Sequence, residues 1–162
     1  MGKKEECEPI FEQGFYDVSF ADIGSRLRPL LVDSFPVSEH RRKMWRKLCK
    51  LFEVISGVSF ITEVWLDGSF VCRKAEPNDV DMVVIFCSPD RHSCPQPEKL
   101  TFLRLKNKAE MLSQYGCDMY FVSRNDNKEQ EYWKNEFGYS RPVGTEKEKI
   151  PKGIVRIFLR QQ

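Results

Sequence analysis

The run Asp79-Val80-Asp81-Met82-Val83-Val84-Ile85-Phe86 constrains this chain more than any other segment. It reads as a strand, and a period of two puts Asp79 and Asp81 on one face while Val80, Met82, Val84 and Phe86 take the other. A fold that buries the apolar face therefore holds two like charges side by side, a pair that repels itself without a cation nearby.

Two further runs bear on that pair. Thr62-Glu63-Val64-Trp65-Leu66-Asp67 reads as a strand ended by Gly68-Ser69, a residue that permits close backbone approach followed by a hydroxyl that hydrogen-bonds phosphate oxygens. Cys117-Asp118-Met119-Tyr120-Phe121-Val122 reads as a third strand, with Asp118 near its start and able to join the other carboxylates if this strand lies beside the second. Oxygen ligands of this kind suit Mg²⁺ or Mn²⁺, and Mg²⁺ typically takes one or two carboxylates and completes its shell with water and substrate phosphates. A third carboxylate holds a second metal or takes the proton of an attacking hydroxyl.

A Gly-Ser turn, a short spacer, two carboxylates flanking an apolar residue and a third carboxylate on a later strand resemble the signature of the nucleotidyltransferase fold. DNA polymerase beta, the CCA-adding enzymes and the small MntA-type transferases share that fold. Gly68-Ser69, Asp79, Asp81 and Asp118 fill those positions in order. The wider wording resembles an uncharacterised family of small bacterial and phage proteins classed with that fold. Phe35-Pro36-Val37-Ser38, Arg41-Arg42, Val64 to Val71, Glu76 to Asp81 and Lys152-Gly153-Ile154-Val155 carry this likeness.

The resemblance implies an α+β fold, a small mixed sheet backed by helices. It also implies Mg²⁺- or Mn²⁺-dependent transfer of a nucleoside monophosphate from an NTP such as ATP to a hydroxyl of a protein or RNA, releasing pyrophosphate. Asp79, Asp81 and Asp118 would be the catalytic and metal-binding residues, and Gly68 and Ser69 the phosphate grip. Lys74 and Lys152 are candidates for neutralising triphosphate charge, and Tyr120 for stacking on a nucleobase. There are departures: Asp67 stands where many fold members have an apolar residue, and Phe70-Val71-Cys72 where many small transferases carry an arginine or glycine. The alternative is a catalytically inactive nucleotide- or partner-binding module of the same fold.

At 162 residues the chain reads as one domain, with an N-terminal helical part (1–58), a catalytic core (59–124) and a C-terminal helix, loop and strand (125–162). Apolar residues make up 41% and charged residues 31%, the balance of a soluble globular protein. No hydrophobic run approaches membrane-spanning length, and the first residues lack the apolar stretch of a signal peptide, so a cytoplasmic protein without membrane association is expected. Six cysteines without a Cys-x-x-Cys pair read as free thiols.

Residues 1–18 look irregular. A short helix is expected from Phe20 to Leu27, with Pro29 biasing Arg28 away from helix. Ser38 caps a long helix to about Ile55, whose apolar stripe is Met44, Trp45, Leu48, Leu51, Phe52 and Ile55, with Arg41, Arg42, Lys43, Arg46, Lys47 and Lys50 on the remaining surface. Pro97 opens one helix to about Tyr115, with Leu100, Leu103, Ala109 and Leu112 as buried candidates and Gly116 as C-cap. Lys128 to Phe137 reads as a helix, Tyr139 to Lys152 as a surface loop, and Gly153 to Leu159 as a final strand.

The basic helix has two readings, a solvated face or a contact for a nucleic-acid backbone. The net charge of only +2 favours the former. If RNA is the acceptor, that helix together with Arg141, Lys147, Lys149 and Lys152 is where phosphate contacts are expected. His40 reads as an ordinary surface histidine, and Trp65 and Trp133 as core residues.

Overall fold

The computed structural model describes residues 8–89, 92–140 and 149–160. It has the expected α+β class. Five strands form one mixed sheet: β1 (Gly14–Ser19), β2 (Ile61–Asp67), β3 (Val80–Phe86), β4 (Cys117–Ser123) and β5 (Gly153–Phe158), in the order β1-β5-β2-β3-β4. Strand β2 is antiparallel to both its neighbours, β3 and β5, while the outer pairs β1/β5 and β3/β4 are parallel. Segments from both ends of the chain thus join the central hairpin in one sheet.

Both faces of the sheet are covered. On one, helix α2 (Glu39–Ser56) buries Leu48, Leu51, Phe52 and Ile55 against Val64, Leu66, Met82, Val84, Val155 and Ile157. On the other, α5 (Asn127–Phe137) lays Phe137 and Trp133 over Trp65, Val83, Ile85, Val122 and Ile154. Val83 and Ile85 therefore fill a second core instead of lining a wet face. No helix of the described residues is long and apolar enough to cross a membrane.

Several expectations are corrected. Residues 14–18, read as irregular, belong to β1, because pairing with β5 supplies the order that their own pattern lacks. The expected helix over 20–27 is a 3₁₀ turn followed by the short α1 (Ile23–Arg26). Arg28 is helical despite the proline after it, since Pro29–Asp33 forms a π-helical turn closed by Ser34 N–H on the Pro29 carbonyl.

The expected helix 97–115 is two helices, α3 (Gln96–Leu105) and α4 (Lys108–Tyr115). Asn107 leaves the helical region and its side chain caps the second by accepting from the Glu110 amide. That break resets the phase. Leu100, Leu103 and Leu112 are 58%, 64% and 43% exposed, and Ala109 is exposed as well. Phe102, Leu105 and Met111 occupy the core in their place, Phe102 meeting the rings of Phe60, Phe86 and Phe121 at 4.9, 5.1 and 5.4 Å. Gly116 closes α4 in the left-handed region, as the sequence predicts.

The long basic helix starts where Ser38 caps it, its hydroxyl accepting from the Arg41 amide. Arg41 itself is not on the surface; its exposure is 0%. Of the expected loop at Tyr139 to Lys152, residues 141–148 lie outside the described residues, and its two ends are tied by Ser140 N–H on the Ile150 carbonyl.

Candidate active site

Cross-strand register builds the site. In the parallel pair β3/β4, Asp81 lies opposite Asp118, and in the antiparallel pair β2/β3, Asp81 lies opposite Asp67. Three carboxylates on three neighbouring strands therefore share one row, on the face that α5 covers further along the sheet. The condition for Asp118 to join the cluster, that β4 lie beside β3, is met. Asp79 sits half-buried one residue before β3.

Gly68 follows Asp67 with φ +84° and ψ −165°, a conformation that side chains other than glycine's scarcely adopt. A Cβ placed there would come within 2.4 Å of Asp81 Oδ2. The turn's glycine thus serves close approach to a carboxylate of the row. Ser69 starts a 3₁₀ turn, Ser69–Val71, and is half-buried.

Two lysines flank the row. Lys152 Nζ, from the segment just before β5, lies 3.0 Å from Asp67 Oδ2, and both residues are buried. Lys108 Nζ, at the start of α4, lies 3.0 Å from Asp118 Oδ1. Tyr120 donates from its hydroxyl to Asp118 Oδ2 at 2.9 Å, and its ring meets Trp133 at 4.2 Å between centroids and the Lys108 ammonium at 4.2 Å. The ring proposed for base stacking thus has these contacts already.

Burial sets the electrostatics. Asp67 is 3% exposed, and desolvation pushes its carboxyl up to about 7, against the opposing effects of Lys152 and the Gly68 amide and with an added upward push from Asp81. Its Oδ1 has no hydrogen-bond partner among the described residues. The buried Cys117 thiol is pushed up to about 12, first by desolvation and then by Asp79 and Asp81. Burial and the bond to Asp118 raise the Tyr120 hydroxyl, which Lys108 partly offsets.

Of the residues chosen from sequence, Gly68, Asp81, Asp118, Tyr120 and Lys152 are brought together. Asp79 and Ser69 adjoin them. Lys74 forms no ion pair among the described residues; it contributes its carbonyl to Arg41. Arg41 is lost to the interior and Lys152 is paired with Asp67, so neither side chain is open to an RNA backbone, while Lys43, Arg46, Lys47 and Lys50 of the same helix as Arg41 are exposed. Arg141 and Lys147 lie outside the described residues, while Lys149 is exposed.

The sequence missed Asp67, Lys108 and Arg41. Asp67 was visible as a departure from the family pattern, and period two along Glu63, Trp65 and Asp67 put it on the site face. Nothing local marked Lys108. His40 is exposed, as the sequence reads, and its Nε2 lies 2.6 Å from the Pro77 carbonyl.

The donor set suits a hard divalent cation of the kind that needs one or two carboxylates. Asp67 Oδ1 supplies an unpartnered buried oxygen beside Asp81. Among the described residues, no group of three or more His, Cys, Asp or Glu side chains is placed to hold a metal ion, so a cation here would need substrate and water to complete its shell.

Fold and site together define an α+β protein with a row of carboxylates across a mixed sheet, abutting a glycine turn. Residues 6–158 match the model of a family of unknown function (DUF6932), and the chain belongs to that family. Comparison with curated proteins and with solved structures returns no match.

Proposed function

We propose that this chain is a metal-dependent nucleotidyltransferase that moves an NMP from an NTP to a hydroxyl of a protein or RNA acceptor. The observation that carries the reading is the register row Asp67/Asp81/Asp118 abutting the Gly68-Ser69 turn. Oxygen ligands and a phosphate-binding turn are the two requirements of phosphoryl transfer from a triphosphate, a reaction governed by positioning and charge neutralisation.

In this reading Gly68 and Ser69 hold the β- and γ-phosphates, and Asp79 with Asp81 holds Mg²⁺ or Mn²⁺. When bound, the cation polarises the α-phosphate and neutralises the departing pyrophosphate. Asp118, paired at Oδ1 with Lys108 and accepting at Oδ2 from Tyr120, completes the metal site or takes the acceptor's proton once Lys108 gives way. Lys152 keeps Asp67 from adding a third uncompensated charge and carries an ammonium to the phosphate side of the row.

The experiment is transfer of label from each alpha-labelled NTP, with Mg²⁺ or Mn²⁺, into the protein itself, bulk tRNA and a cell lysate. Labelling that disappears in an Asp79→Asn/Asp81→Asn double variant of unchanged circular dichroism supports the reading. Labelling that persists in the double variant sinks it.

One observation favours a second reading. Lys108 and Lys152 neutralise the two outer carboxylates without any metal, which suits a module that binds a nucleotide or partner without turnover. That module would gain thermal stability with Mg·ATP and transfer no label.

A further inference from the structure

We propose that Arg41 is the positioning residue of the phosphate turn, fixing from behind the loop that joins Gly68-Ser69 to Asp79. The inference rests on the nucleotidyltransferase reading and adds to it a residue of helix α2.

Arg41 is a cation taken wholly out of water. Its guanidinium donates to the carbonyls of Phe70 at 2.8 Å, Cys72 at 2.5 Å and Lys74 at 2.9 Å from Nε, and more weakly to Ser69 at 3.4 Å. It also bonds the Leu31 carbonyl at 2.8 Å, and its plane lies 3.8 Å from the Phe35 ring centroid. Burying a charge is expensive unless many oriented dipoles solvate it. Here those dipoles belong to the segment that follows the Gly68 turn. The planar fork of five donors matches this spread of carbonyls, which a lysine's compact ammonium does not.

The rest of the same helical turn holds the remainder of the loop. Ser38 Oγ donates to the Ala75 carbonyl at 2.7 Å, and His40 lies on the Pro77 carbonyl. Carbonyls at 69, 70, 72, 74, 75 and 77 thus hang from residues 38, 40 and 41. A peptide's C=O and N–H point in opposite directions, so pinning the Ser69 carbonyl turns the Phe70 amide away from the guanidinium. Gly68 is locked against Asp81 at the loop's front, and α2 locks its back, so the spacing between Ser69 and Asp79 is set by Arg41.

The test compares Arg41→Lys with Leu48→Ala, a fully buried α2 substitution outside this carbonyl set, in the full chain. Folding is followed by circular dichroism, Mg·NTP binding by calorimetry, and label transfer by KM and kcat. Arg41→Lys is expected to raise KM for the NTP at least tenfold, while Leu48→Ala, also destabilised, keeps KM within twofold. His40→Ala, which loosens only the Pro77 end, is expected to raise KM two- to fivefold and decides the matter if Arg41→Lys does not fold. If folded Arg41→Lys, or His40→Ala in its stead, leaves KM unchanged, Arg41 is a structural tie only and the inference is overturned while the nucleotidyltransferase reading stands. A wild-type chain that neither binds nor transfers any NTP removes both.

Discussion

Asp81 Oδ2 occupies the space that a Cβ on residue 68 would need, 2.4 Å from its ideal position. The glycine and the central carboxylate of the row are therefore one unit. Gly68→Ala must displace Asp81 and also hold an alanine at φ +84°. It is expected to cost about 1–3 kcal/mol of stability and to abolish nucleotide transfer. Urea denaturation checks the first part, and a variant within about 0.5 kcal/mol of wild type would contradict it.

Asp67 should make stability fall as pH rises. Its folded carboxyl sits at about 7 against an unperturbed value of 3.8, so between those values the folded state binds more protons than the unfolded one. Stability contributed by the protonated form is therefore complete below about pH 4 and lost as pH climbs to about 7, with an upper bound of roughly 4 kcal/mol from linkage. Asp67→Asn removes this dependence. Denaturation of both proteins from pH 4 to 8 should show wild type losing ground to the variant across that window; a constant difference would refute the assignment.

Under the proposed function, Lys108 and a divalent cation compete for the same acidic row. The Lys108 side chain is 54% exposed, so Lys108→Ala should cost less than about 1 kcal/mol of stability. It is expected to tighten Mg²⁺ or Mn²⁺ binding several-fold in calorimetry, because the cation no longer faces an ammonium beside Asp118. Unchanged or weaker binding would remove the competition.

The phase of α3 is testable without any ligand. Phe102 is buried among Phe60, Phe86 and Phe121, whereas its neighbour Leu103 faces water. Phe102→Ala should cost about 3–5 kcal/mol and Leu103→Ala within about 0.5 kcal/mol. Equal losses in a melting comparison would mean that the helix is rotated from the position described.

The amino-acid sequence by itself determined the elements that nearest-neighbour chemistry encodes. Alternation marked β2, β3 and β4, the Ser38 cap and the three- and four-residue spacing marked α2, and Gly116 marked the end of α4. It also picked out Gly68, Asp81 and Asp118, because a turn residue and strand-borne acids stand out against their own neighbours. Tertiary structure decided everything that depends on which segments lie side by side. Strand β1 exists through pairing with β5, and Asp67 enters the row through the register of β2 on β3. Lys152 reaches Asp67 from a segment remote in sequence, and Lys108 reaches Asp118 because the Gly116 turn folds α4 back beside β4. Arg41, one of six cations in a basic stretch, goes inside because backbone carbonyls from a distant loop solvate its charge, an energy that no local pattern of polarity records.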